Sequence, residues 1–234
     1  VRFGHKVIEV ATFRRKAESE DGDPLIRRAN TFGSPEEDAF RRDFTVNALF
    51  YDIAAFSVID YVGGLGDLER RVIRTLGDPD VRFREDPVRM LRAVALATRL
   101  GFTIDGDTLE AIRALRSEIV KSSSARILEE FYKILRQGAA RETFVHLHEV
   151  GLLAYLLPIA DRALTNDGEE LLASLGRLDD FRNARAAVAT DELSNPIIMG
   201  SLLAPLGVPL RRESLGSRRP SGGPPESGAA DGAE

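Results

Sequence analysis

Strand-type text stops near residue 78 of this chain, and nearly every patterned segment after it reads as helix. That switch fixes the expected class as α+β, a mixed sheet followed by an all-helical part. Before the switch, Val7–Phe13 is β-branched and interrupted by one acid. Ser57–Val62 is closed by Gly63-Gly64, and Val72–Arg74 is a third short run, so all three read as strands. Thr45 stands where an N-cap would, ahead of VNALFYDIA, and Asp67–Glu69 opens a short helix. Residues 14–38 are charged and rich in Gly and Pro, which predicts a long mobile loop. After the switch, Asp86-Pro87 supplies a capping acid and a first-turn proline. The helix they open runs through MLRAVALATRL to Gly101, a C′ glycine. Further helices are expected over 107–118, 124–137 and 141–150, with weaker signals over 171–188 and 195–206.

Composition narrows the class. With 234 residues, 43% apolar and 29% charged, the chain is long enough for one or two domains and is not disordered throughout. No run approaches the ~18 apolar residues of a membrane span. Cysteine is absent, which excludes disulfides, thiolate-held zinc and thiol catalysis, and fits a reducing compartment. The formal net charge of −5 gives no global basic field, so any nucleic-acid contact must be local. From Arg211 onward apolar residues almost vanish, which predicts a disordered tail over 211–234. The chain opens on Val1 and enters a strand with no partner before it, which predicts an N-terminal truncation.

Three clusters could carry chemistry, and each has two readings. Arg41-Arg42-Asp43 is either a surface ion pair or a metal-binding acid beside phosphate-holding cations. Glu9 is either an edge-strand acid facing solvent or a carboxylate facing a metal from the sheet. In Arg84-Glu85-Asp86-Pro87-Val88-Arg89-Met90-Leu91-Arg92, two acids mark a helix start and two arginines three apart share a face. That is either a capped, salt-bridged helix or an acid and a guanidinium that read the edge of a base. His5, His146 and His148 lack metal-ligand spacing and read as surface or core histidines.

Taken together, IEVATFR (8–14), FGSPEEDAFRRDFTVNALFYD (32–52), VIDYVGGLGDLERRVIRTLGDP (58–79) and RFREDPVRMLRAV (82–94) resemble the bacterial poly(A) polymerase and CCA-adding tRNA nucleotidyltransferase family. ARILEEFYKILRQGAARETFVHLHEVGLLAYLLP (125–158) continues the likeness, which leans to the polymerase branch. The resemblance implies the C-terminal part of a nucleotidyltransferase palm over 1–78. It implies a helical neck that binds nucleotide and RNA over 79–138, and a helical body over 139–210. The implied activity is template-independent transfer of AMP from ATP to an RNA 3′ end, mRNA or tRNA, in the cytoplasm and without a membrane. The implied cofactor is Mg²⁺, held by Asp43 as one of three catalytic carboxylates, with Glu9 as a further candidate acid. The other two carboxylates belong to a D-x-D after a G-G-x-V-R-D turn, which this sequence lacks and which would precede Val1. Arg41, Arg42, Glu85, Asp86, Arg89 and Arg92 are the implied nucleotide-binding residues. Where the family commonly continues with Arg-Phe after REDPVRMLRAV, this chain has Ala95-Leu96, which removes a cation from the face of Arg92.

The base-reading idea also follows from chemistry alone. Adenine and cytosine both present an amino donor beside a ring-nitrogen acceptor; guanine and uracil reverse the pair. Asp86 can accept from the amino group while Arg89 donates to the ring nitrogen. With G or U both partners are mismatched, at about 1–3 kcal/mol for each buried unpaired group. The pair does not separate A from C, so CCA addition stands as the alternative activity. A non-catalytic RNA-binding fragment is the alternative of another class.

Overall fold

The computed structural model describes residues 1–4, 6–15, 32–185 and 193–208. The middle of the loop expected over 14–38, His5, the end of the helix expected over 171–188 and the tail expected over 211–234 lie outside the described residues.

The helix that organises the molecule is Val88–Leu100, called α4 in chain order. Its Val88, Met90, Leu91, Ala93, Val94 and Ala97 are buried, while Arg89 and Arg92 sit on the face left over. Gly101, at φ +64, ends it in the left-handed region that glycine tolerates. The segment before it, where no element was expected, is also helical. Asp78 accepts from the Asp80 N–H at 2.9 Å and Pro79 fills the first turn, so Pro79–Glu85 forms α3. Glu85 therefore ends α3, and Asp86 lies at the corner between two helices rather than at an isolated helix start.

The β structure is small and divided. β1 (Arg2–Phe3) pairs antiparallel with β2 (Lys6–Val7), and β3 (Leu49–Asp52) pairs antiparallel with β4 (Ser57–Asp60). β5 (Val72–Ile73) pairs in parallel with β6 (Thr103–Ile104), so strand structure does recur after residue 78. The strand expected over Val7–Phe13 reduces to β2, because beyond Val7 the chain has no ladder partner among the described residues. Pro35–Phe40, expected as loop, is α1: Ser34 and Glu37 form a reciprocal capping box. Thr45 starts only one 3₁₀ turn (Thr45–Asn47), since its hydroxyl donates to Asp67 at 2.6 Å instead of capping a helix.

The remaining helices are α2 (Gly64–Arg70), α5 (Gly106–Leu115), α6 (Ser124–Arg136), α7 (Ala140–Glu149), α8 (Leu153–Leu156), α9 (Pro158–Asn166), α10 (Glu169–Arg185) and α11 (Asn195–Leu203). Of these, α8 and α9 fall in a stretch for which no element was expected, and the others lie close to the expected ones. One apolar core runs from Phe44 and Ile73 through α4 to Leu171 and Leu202, so β5, β6 and the helices share an interior, while Phe50 of β3 packs on a smaller cluster of Ala39, Ala48 and Leu76. Gly64 is required where α2 meets the 3₁₀ turn: a Cβ there would stand 2.3 Å from the Thr45 carbonyl oxygen. His146 bonds Thr98 at 2.8 Å and His148 bonds Asp161 at 2.7 Å, so both serve packing between helices. No helix among the described residues is long and apolar enough to cross a membrane.

Candidate functional site

Asp43 is seated by its neighbours in the chain. Phe44 is 1% exposed and anchors in the core. The Asp43 carbonyl accepts from the Leu76 N–H at 3.0 Å, and the Thr45 N–H donates to the Arg74 carbonyl at 3.1 Å. This short bridge to the segment after β5 fixes the Arg41-Arg42-Asp43 turn against α4. The Asp43 side chain, 13% exposed, then meets both arginines of that helix. Arg89 Nε donates to Oδ1 at 3.1 Å, and an Arg92 terminal nitrogen lies 2.6 Å from Oδ2. Two guanidinium groups three residues apart thus converge on one carboxylate.

Arg41 and Arg42 turn toward α1. Arg41 donates to Asp38 Oδ1 at 3.0 Å, and Arg42 donates to Oδ2 through two nitrogens at 3.0 and 2.6 Å. Burial would push the Asp38 carboxyl up, but hydrogen bonds from Arg42, the Arg14 backbone and Arg41 outweigh it and hold it below the usual aspartate value. These residues border an open cleft of about 580 Å³ whose lining includes Thr12, Arg14, Asp43, Asn47 and Arg92. Glu9 is exposed and does not line this cleft, although Ala11 and Thr12 on the same segment do.

At the corner between α3 and α4 the two expected base readers are held apart by other partners. Asp86 Oδ1 accepts from the Val88 N–H at 3.3 Å, and Oδ2 accepts from Arg126 in the first turn of α6 at 2.6 Å. Arg89 reaches Asp43, the Arg82 carbonyl at 2.8 Å and Glu85 Oε2 at 3.3 Å. Glu85 also pairs with Arg82 at 3.1 Å. A base read by Asp86 and Arg89 must therefore exchange with these internal partners. Arg126, Arg82, Asp38 and Asn47 were not singled out in the sequence. Arg126 is 40 residues from Asp86, a separation that no local spacing rule spans.

Residues 1–74 match the family model described as the poly A polymerase head domain, and residues 101–164 match one described as a probable RNA and SrmB-binding site of polymerase A. Poly(A) polymerase I of Escherichia coli O6:H1 is 46% identical over 208 residues, covering 85% of this chain and 44% of that protein. The CCA-adding enzyme of Bacillus subtilis is 41% identical over 155 residues, covering 65% of this chain and 38% of that protein. The chain belongs to the poly(A) polymerase and CCA-adding nucleotidyltransferase family.

Among solved structures, the Bacillus stearothermophilus CCA-adding enzyme in complex with CTP superposes with a TM-score of 0.59 at 30% identity, over 85% of this chain and 51% of that one. A tRNA nucleotidyltransferase complexed with a primer tRNA and an incoming ATP analog superposes at 0.51 and 27% identity. The family match reproduces the expected mixed-sheet and helical fold. The chain spans 38–44% of the length of the two curated relatives described above. Members of this family are nucleotidyltransferases, and Asp43 lies inside the head-domain match while α6 lies inside the RNA-binding match. Among the described residues no three carboxylate or imidazole groups gather as a metal site. Asp43 is a chemically suitable donor to a hard cation, yet the described residues do not by themselves make up a divalent-cation site.

Proposed function

We propose that this chain carries the nucleotide-selecting part of an RNA nucleotidyltransferase that transfers AMP from ATP to an RNA 3′ end and releases pyrophosphate. The observation that supports it most is the convergence of Arg89 and Arg92 on Asp43, beside a cleft that Arg41 and Arg42 also line. Arg89 is the hinge of the arrangement, because it touches the acid of the turn and stands one turn from Asp86. In the proposed reading an incoming adenine takes Arg89 and Asp86 from their internal partners. Asp86 accepts from the amino group and Arg89 donates to the ring nitrogen. Glu85, paired with Arg82 and Arg89, steers the Arg89 guanidinium. Arg41, Arg42 and Arg92 meet the phosphates, since guanidinium forks suit phosphate oxygens.

Mg²⁺ is the cation proposed for such an enzyme; when bound it favours ionisation of the RNA 3′-hydroxyl and steadies the triphosphate. Asp43 is the donor assigned to it here; Glu9, exposed and off the lining of the cleft, is not assigned to it. The cytoplasm is the proposed setting. CCA addition is the second reading, supported because the same pair reads cytosine and because the likeness extends to a CTP-bound CCA-adding enzyme.

The test is equilibrium binding of all four nucleoside triphosphates to the purified chain and to an Asp86→Asn, Arg89→Ala variant. ATP and CTP should bind more tightly than GTP and UTP, and the variant should lose the preference. Equal affinity for all four in the unaltered chain would overturn the base-reading assignment. Homopolymer formation with ATP alone, by a version carrying a complete metal site, separates poly(A) addition from CCA addition.

A further inference from the structure

Arg82 is the most buried arginine beside the cleft, 8% exposed, and the nucleotide reading gives it no role. One terminal nitrogen donates to the backbone carbonyls of Arg41 at 3.2 Å and Arg42 at 2.7 Å, the two residues before Asp43. The other donates to Glu85 at 3.1 Å. Its own backbone carbonyl accepts from the Asp86 N–H at 3.2 Å and from the Arg89 guanidinium at 2.8 Å. Arg89 then closes the path on Asp43. The links form a ring: Arg82 side chain, the Arg41-Arg42 backbone, Asp43, Arg89 and back to the Arg82 carbonyl. The ring ties the 41–43 turn to the α3–α4 corner at two points, so displacing one contact displaces the other.

We infer that Arg82 is a positioning residue that sets the distance between the acid-bearing turn and the base-reading corner, so that nucleotide selection depends on its side chain without contact to the nucleotide. Packing alone does not account for an arginine here. Its Nε is buried with no hydrogen-bond partner, a desolvation penalty that an apolar side chain of similar volume would avoid. One arm of the guanidinium fork holds the two successive carbonyls while the other holds Glu85, and an ammonium, with a single nitrogen, has no matching fork geometry. The clamp itself rests on the contacts above; its effect on selection rests on the proposed roles of Asp86 and Arg89.

The test compares Arg82→Lys and Arg82→Met with the unaltered full chain, by hydrogen exchange and by binding of ATP and GTP. For Arg82→Lys, which keeps the charge and the fold, amides at 39–47 and 86–92 should exchange faster by about tenfold, from loss of a charged hydrogen bond. Those in α7 and α10 should not change. The ATP-over-GTP preference should fall by about tenfold, with less change in GTP affinity itself. Arg82→Met should show both effects more strongly, read at a temperature below its own melting point. Faster exchange confined to α3, or no change in either segment, would overturn the clamp. A lost clamp with unaltered selectivity would overturn its link to selection. An unaltered chain without any ATP preference would instead remove the base-reading proposal, while the exchange data still decide the clamp.

Discussion

Arg89 serves three internal partners from which an incoming base must draw it, so its replacement is the sharpest test at the scale of single residues. Arg89→Ala removes the donor proposed for the ring nitrogen. It should lower ATP affinity by about one to two orders of magnitude, from roughly 1.5–3 kcal/mol of charged hydrogen bonding. Discrimination against UTP and GTP should fall with it. Arg92→Ala leaves Arg89 on Asp43 and should weaken binding of all four nucleotides alike; a selective loss of ATP there would reverse the two roles. A second residue-level expectation concerns acid. Burial would push the Asp67 carboxyl up, but donation from Thr45, Arg74 and Arg70 outweighs it and holds the group below the usual value of 3.8. A folded pKa below the unfolded one gives stability that is present above about pH 3.8 and lost as pH falls through the folded value. Asp38 and Asp60 shift in the same direction. Asp67→Asn should therefore lower stability at pH 7 by about 1–3 kcal/mol and flatten the acid limb of the unfolding curve. An unchanged acid limb would show that the Asp67 network does not act on folding.

Elements were legible where one segment carries its own start, face and stop. α4, α6 and α7 end within a residue or two of where their caps and glycines place them, because each pattern is local. The segments that departed from expectation were decided elsewhere in the molecule. Thr45 gives its hydroxyl to Asp67, 22 residues away, and the residues after it pair with β4 instead of continuing a helix. β6 exists only because β5 lies beside it. The cap of α7 is likewise non-local: its first two N–H groups, of Ala140 and Arg141, donate to Asp179 of α10 at 2.7 and 2.8 Å. Burial pushes the Asp179 carboxyl up despite these bonds. The sign is opposite to that of Asp67: stability from this site is greatest when the group is protonated. It declines as pH rises from the ordinary aspartate value to the raised one. Asp179→Ala should cost about 1–3 kcal/mol for each N–H left without a partner, seen as a lower melting temperature. Asp179→Asn, which keeps one acceptor oxygen, should cost less. An equal loss for Asn and Ala would show that the charge, not the acceptor, holds the two helices.

Across the whole molecule, the candidate site is an encounter of three stretches, at 38–47, 82–92 and 126. Residue types in the first two were readable, since RRD and REDPVRMLR mix acids and forked cations in a way that solvated faces do not require. Who pairs with whom was not readable, because convergence depends on the Phe44 anchor and on α6 crossing the corner. The same packing also joins two cavities. A groove of about 170 Å³ between α4 and α6, with Arg99, Lys133 and Gln137 in its walls, shares Asn47 and Arg92 with the larger cleft. With a net charge of −5 the protein has no global attraction for RNA, so local cations, those along that groove among them, are the proposed phosphate contacts of a primer entering the cleft. Lys133 already leans on Glu130 at 2.8 Å, so it is partly neutralised before any ligand arrives. Arg99→Ala should therefore weaken binding of a short single-stranded RNA more than Lys133→Ala does. It should also reduce the slope of log affinity against log salt by about 0.7, the increment for one single-strand phosphate contact. ATP affinity should be unchanged, because Arg99 lines the groove and not the larger cleft. A normal salt slope with Arg99 removed would mean that RNA approaches Asp43 by another face.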